Sequence, residues 1–465
     1  MKSIFLNVLL YTIVLLTFSC RNIEEDGETT IINDGGSTNE VTTLIGRITE
    51  NRTLKAAYTY KLSGIVYVTN GAVLTIEPGT KIVGATGTGG GLVITRNAKI
   101  IAEGTASKPI VFTSENATPA RGDWSGIVIL GNAPTNATYN GTAGVGSVEG
   151  GINNSDGLGL YGGTNPADNS GILKYVRIEY AGFAFLPDNE LNGLTFGGVG
   201  NLTTVDYVQV SYANDDSFEW FGGTVNCKHL IAYKGLDDDF DADNGYSGKV
   251  QFGIVVRDPQ IADVSGSNGF EVDNDASGSV TTPQTLAVFS NITVVGPFRT
   301  STDVVNSLFR NALQLKKNSS VSIFNSVFVG YATGLLVDAG SGTPTDNNFT
   351  IVPATTNKMQ FQNNIIAGCT TPIKYTASSS APTGNTTATI TSWFTASSNS
   401  ILTNVSDAGI TDAYSSTPNF QPTATSPLLS GAAFTSPKLA SGFTSVTYRG
   451  AVNSADTWYA GWTKF

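Results

Sequence analysis

The residues best suited to chemistry in this chain are acids. Asp215-Asp216 is followed 22 residues later by Asp237-Asp238-Asp239, then by Asp241, Asp243 and Asn244, with Asp258, Asp263, Glu271, Asp273 and Asp275 beyond. Two ionised carboxylates about 5 Å apart repel by roughly 3 kcal/mol at an effective dielectric of about 20. Such a cluster calls for a cation, a shared proton or hydrogen-bond donors. Calcium takes about six to eight oxygens from carboxylates and carbonyls. Asp239-x-Asp241-x-Asp243-Asn244-Gly245 has the alternating oxygens and glycine turn of a calcium loop, without the closing glutamate of an EF-hand. The predicted metal ligands are Asp237, Asp238, Asp239, Asp241, Asp243, Asp273 and Asp275, with solvated turn acids as the alternative.

A second reading is enzymatic. Glycosidases use two carboxylates, about 5–5.5 Å apart when retaining and about 6.5–9.5 Å when inverting. Asp215, Asp216 and Asp238 are the candidates for either pair. A lyase would need a base beside the metal; Lys234, Lys249 and Arg257 are near in sequence but stand in no motif. The single histidine, His229, lies in the apolar run HLIAY and reads as a packed strand residue. Phe218 and Trp220 flank the acids in SFEWFGG, and Trp124 sits in GDWSG. Exposed rings beside carboxylates can hold sugars, and packing at a strand corner is the plainer alternative. Zinc spacing and a nucleophile elbow are missing, and GTGGG at Gly87 lacks the lysine of a phosphate loop.

The elements that must position these acids are repeated. LKYVRIEYA at Leu173, VDYVQVSYA at Val205 and CKHLIAYKG at Cys227 are versions of one strand, and Asn-x-x-x-x-Gly returns at Asn291, Asn325 and Asn363. Runs of four to eight alternating residues between Gly, Asn and Asp turns indicate strands, and no clean helical spacing follows the first residues. A propeller blade needs about 40–45 residues, which a 22-residue repeat does not supply. The expectation is an all-β right-handed parallel β-helix solenoid with capped ends and long corner loops, one domain over residues 43–465. Stacking one coil on the next places Val176, Val208 and Leu230 in one ladder, Tyr180, Tyr212 and Tyr233 near another, and the three asparagines in a third. Gly46–Ser63 and Trp458–Phe465 are the expected covers for the open ends.

NGAVLTIEPGTKIVG at Asn70, NAKIIAEGTASKPIVFTS at Asn97 and GDWSGIVILG at Gly122 resemble the opening coils of right-handed parallel β-helix (pectin-lyase-like) proteins. From about Gly46 to Phe465 the chain resembles a family of surface lipoproteins of Bacteroidota type with that fold. The resemblance is most specific in the stretch from Asn214 to Asp258, in SGSNGFEVDND at Ser265 and in the terminal GWTKF. It implies the fold and a cell-surface address rather than a reaction.

The first residues fit that address. Lys2 precedes an apolar run from Ile4 to Phe18 that ends in Thr17-Phe18-Ser19-Cys20. Residues 1–19 are expected to be a lipoprotein signal peptide and Cys20 the lipidated residue. Residues 20–42 are polar and acidic, and are expected to form a flexible tether. The net charge of −11 argues against nucleic acid as a partner. The remaining cysteines, Cys227 and Cys369, lie in apolar surroundings and read as buried free thiols. Together these features lead to the expectation of an outer-membrane, lipid-anchored scaffold. It would bind extracellular polysaccharide or a partner outer-membrane protein, with Ca²⁺ at its acidic corner. The enzymatic alternative is a polysaccharide lyase or glycoside hydrolase.

Overall fold

Turn residues cut the apolar runs so short that a strand can find a partner only by stacking on the coil before it. Thr59–Leu62, Lys81–Gly84 and Ile110–Ser114 pair in parallel in this way, each one coil further along the axis. In a computed structural model, residues 41–186, 189–348 and 359–465 are described. They form a right-handed parallel β-helix with one sheet of 17 strands and one of 11. The first strand, Val41–Leu44, already pairs with Thr59–Leu62. The leader, Cys20 and nearly all of the tether lie outside the described residues.

The eleven-stranded sheet positions the acids. Its strands are β1 (Arg47–Ile48), β2 (Ile65–Val68), β3 (Gly91–Ile94), β4 (Gly126–Leu130), β5 (Leu194–Gly197), β6 (Phe218–Phe221), β7 (Phe240–Asp243), β8 (Phe270–Val272), β9 (Asn311–Leu315), β10 (Thr333–Asp338) and β11 (Thr371–Thr376). Successive side chains point to opposite faces. The inward column Leu194, Phe218, Phe240 and Phe270 is fully buried in the core. Cys227 and Cys369 are free and buried, as expected.

The long strands of the other sheet bend once, and one residue makes each bend. Tyr175, Tyr207, His229, Phe252, Asn291, Asn325 and Asn363 all have φ between 51° and 64° and occupy equivalent places in successive coils. The tyrosine repeat and the asparagine repeat are therefore one structural position. Asparagine tolerates this left-handed conformation; tyrosine and phenylalanine adopt it at a cost. That cost is offset by stacking, with centroids 4.4 Å apart for Tyr175–Tyr207, 4.3 Å for Tyr207–His229 and 5.1 Å for His229–Phe252.

Several expectations are corrected by the register. Val176, Val208 and Leu230 do form one column, but Tyr233 aligns with Ser211, whereas Tyr180 and Tyr212 stack on each other at 5.0 Å. The amides of Asn291 and Asn325 turn outward and bind the backbone of Tyr448 and Ala433. The axial amide ladder sits one residue later, where Ser326 N–H donates to Asn364 Oδ1 and Asn364 N–H to Asn399 Oδ1.

Gly46–Ser63 supplies strands of the first coils rather than a cover. The C-terminal segment is a strap along the flank, not a lid on the end. Gln251 and Gln209 each donate to and accept from its backbone, at Thr444 and Lys464, and Trp458 and Trp462 lie edge-on against the ring stack. The far end carries a helix, α1 (Thr387–Ala396), which lays Ile390, Trp393 and Phe394 against the last coil. Its β-branched composition hides it from periodicity, and the Thr386–Thr389 capping box starts it.

Candidate metal centre

On β5 to β11 one outward column reads Thr195, Glu219, Asp241, Glu271, Gln314, Leu336 and Lys374. Each step is about 4.8 Å, so three carboxylates stand in a row. A second column lies at the corner two residues before each strand: Asn192, Asp216, Asp238, Asn268 and, at the head of β9, Asn311. Here the side chain of one coil accepts the backbone N–H of the next. Asp216 N–H donates to Asn192 Oδ1 at 3.2 Å, Asp238 N–H to Asp216 Oδ1 at 2.8 Å, Asn268 N–H to Asp238 Oδ1 at 2.5 Å, and Asn311 N–H to Asn268 Oδ1 at 3.1 Å. The ladder needs only an acceptor at each rung, which asparagine and aspartate both provide.

The difference lies in the other half of the side chain. Where the rung is asparagine, its Nδ2 donates to the outward column: Asn192 to Glu219, Asn268 to Glu271 at 3.3 Å and Asn311 to Gln314 at 3.0 Å. Asp216 and Asp238 have no such donor. Carboxylate oxygens of Asp216, Glu219 and Asp241 lie within 4.8 Å of one another, as do those of Asp215, Asp216 and Asp237, and those of Asp238, Asp241 and Glu271. Asp216, Asp238 and Glu219 are only 8%, 4% and 4% exposed, and Asp237 Oδ1 and Asp241 Oδ1 are enclosed without a hydrogen-bond partner among the described residues.

Burial pushes the carboxyls of Asp216, Asp238, Glu219 and Asp241 well above the ordinary range, and repulsion from neighbouring acids adds to it. Burial also lifts Asp237 to about 6, against a hydrogen bond from Ser265. An all-oxygen donor set with unpaired buried oxygens fits a hard cation such as calcium. The groups open into a groove of about 730 Å³ that follows the axis. Its far half is lined by Phe309, Arg310, Lys316, Leu336 and Lys374. Lys316 pairs with Glu271, whereas Arg310 and Lys374 are exposed and make no ion pair among the described residues.

The predicted ligands occupy different environments. Asp237, Asp238 and Asp241 belong to the cluster. Asp239-x-Asp241-x-Asp243 is not a loop, because Phe240–Asp243 is the strand β7 and Asp239 precedes it. Asp239 is fully buried and meets Arg257 at 3.0 Å. Asp243 adjoins Asp273, which is paired with Lys317 at 2.8 Å. Asp275 spends its carboxylate on Ser277 and Ser279 of its own turn; burial works against it, yet these bonds hold its carboxyl below the ordinary range. Asp258 and Asp263 likewise cap local turns. Asp216 and Asp238, named as catalytic alternatives, each hold a ladder rung, while Asp215 lines the groove.

The expected glycan rings are not available to a ligand. Trp124, Phe218 and Trp220 are wholly buried, because the side chains next to outward Glu219 must point inward, and Trp124 donates to Glu179 O at 2.7 Å. His229 is held in the ring stack with Nδ1 2.7 Å from Asp206. Sequence reasoning left Glu219 and Glu271 out of the ligand set and missed the asparagine rungs of the ladder. The 22-residue spacing that aligns Asp216 with Asp238 also places Glu219 beside Asp241.

Arg257 braces this corner from inside. Its guanidinium donates to Leu236 O and Asp237 O at 2.9 and 2.6 Å besides pairing with Asp239, and it lies 5.0 Å from the Phe309 ring. Arg257→Met should lower stability by about 3–5 kcal/mol, since it strands a buried charge. Denaturant unfolding checks this: a loss well under about 1 kcal/mol would place the pair outside the stabilising framework.

Among curated proteins no match to the chain is found. The model of the pectate-lyase-like β-helix domain matches residues 46–463, which takes in every strand of the solenoid from Arg47 onward and the whole acidic groove. With that coverage and the parallel coils described above, the chain belongs to the pectate-lyase-like β-helix family.

Proposed function

We propose that the chain is a cell-surface scaffold, anchored in the outer membrane through lipid on Cys20, that binds an extracellular glycan in its axial groove with calcium held by the acids. The single observation behind this reading is the pair of aspartate rungs, Asp216 and Asp238. They set carboxylate against carboxylate where the rungs on either side, Asn192 and Asn268, set amide against carboxylate. A calcium ion supplies the missing positive charge and keeps coordination positions for sugar oxygens. The groove continues past the acids to the exposed Arg310 and Lys374. From β5 to β11 it spans six coil steps, roughly 29 Å at about 4.8 Å each, enough for an extended oligosaccharide.

Glycan arrays with the full chain, in calcium and then in chelator, test this reading. Calcium-dependent retention of a glycan without new reducing or unsaturated ends is the expected result. Steady product release, lost in Asp216→Ala, would instead make the groove the active site of a lyase or hydrolase. Retention of an outer-membrane protein and of no glycan would replace the sugar by a protein partner.

A further inference from the structure

The three carboxylate groups are not equivalent. In the group of Asp238, Asp241 and Glu271, Lys316 already pairs with Glu271, and Asn268 donates to both Glu271 and Asp238. Among the described residues no lysine or arginine forms an ion pair with the other two groups, and they share one residue, Asp216. Asp216 is more than nine-tenths buried; its Oδ1 accepts the Asp238 N–H, and its carboxylate lines the groove with no donor to Oδ2 among the described residues. On one side of it stand Asp215 and Asp237, whose Oδ1 is enclosed and unpaired. On the other stand Glu219 and Asp241, whose Oδ1 is also enclosed and unpaired. Thr195, 1% exposed, lies beside Glu219 on the same outward face with its hydroxyl unpaired.

We infer that the groove holds two divalent cations bridged by Asp216. One lies at the corner with Asp215 and Asp237, and the other lies on the strand face with Glu219 and Asp241. The inference rests on the cation reading above and extends it to a stoichiometry and a bridging ligand. Charge supports two ions rather than one. Once ionised, Asp215, Asp216, Glu219, Asp237 and Asp241 bring five negative charges into two overlapping groups, and one divalent ion would leave three of them unbalanced at separations where each pair repels by roughly 3 kcal/mol. Hard divalent cations accept bridging carboxylates readily, and water or a sugar hydroxyl can complete each shell.

The stoichiometry of calcium bound to the full chain, read by elemental analysis after exhaustive dialysis and by titration calorimetry, decides the matter. Two ions per chain are expected. Asp215→Asn should lose the corner ion alone, Glu219→Gln the strand-face ion alone, and Asp216→Asn both. Terbium and europium loaded together should show energy transfer between the two ions in the parent chain and none in either single-site variant. One ion per chain, or an Asp216→Asn variant that keeps one at full affinity, overturns the bridged pair and leaves a single-cation groove standing. No bound ion overturns both readings, and circular dichroism of each variant separates lost ligands from lost fold.

Discussion

In the presence of a chelator the protein should melt several degrees lower at about pH 8 than at about pH 5.5, and calcium should remove or invert that order. The buried carboxyls of Asp216, Asp238, Glu219 and Asp241 are raised far above their ordinary range by burial and mutual repulsion. A carboxyl raised by folding binds its proton more tightly in the native chain than in the unfolded one. Stability is therefore full below the unfolded value and falls as pH climbs through the folded one. For Asp237 that interval runs from the ordinary 3.8 to about 6, and for the deeper acids it extends higher. A divalent cation reverses the dependence because it binds only the ionised groups. At about a thousandfold excess over Kd it adds roughly 4 kcal/mol, which corresponds to several degrees for a chain of this size. Differential scanning calorimetry across this pH range, with and without calcium, measures both arms. A chelated melting point that rises with pH, or a calcium shift equal at both ends, would sink the account.

The coil frame was legible in the sequence because identical turns leave identical residues. A spacing of 22 residues is one coil, and Asp238 N–H does donate to Asp216 Oδ1 across it. The same spacing failed beyond Asp238, where long corner loops intervene. The next rungs come 30 and then 43 residues later, at Asn268 and Asn311. Loop length is free to vary when the strands on either side keep their register, so those rungs leave no periodic trace.

The alternation within SFEWF already held the answer about the rings. Trp220 and Glu219 are neighbours in a strand and must face opposite ways; an outward acid makes an inward tryptophan. The calcium-loop reading failed for a related reason. Alternating aspartates describe the outward face of a strand as well as they describe a metal loop, and β7 is the strand. What no local pattern reveals is partner choice: Asp239 is neutralised by Arg257, and Asp273 by Lys317, through contacts that exist only once the coils are stacked.

Replacing Asp216 with asparagine should raise the melting point of the chelated protein and abolish its response to calcium, an unusual outcome for a change at a buried residue. The substituted side chain keeps the oxygen that accepts the Asp238 N–H, so the ladder survives. Its new amide can donate to Glu219, three residues on, as Asn268 does to Glu271 and Asn311 to Gln314. One of the acids that repel Asp215, Asp238 and Asp241 is gone. At the alkaline end of the range, where these groups ionise, removing even one such contact relieves roughly 3 kcal/mol at about 5 Å, and the gained hydrogen bond to a charged acceptor adds about 1.5–3 kcal/mol. Asp216→Ala is the control that separates electrostatics from ladder geometry. It removes the same charge but leaves the buried Asp238 N–H without an acceptor, which costs about 1–3 kcal/mol, so its melting point should fall below that of the asparagine variant. If asparagine and alanine melt together, the ladder bond contributes nothing. If the asparagine variant melts below the parent in chelator, the aspartate rung is stabilising without any cation, and the reason for expecting one disappears.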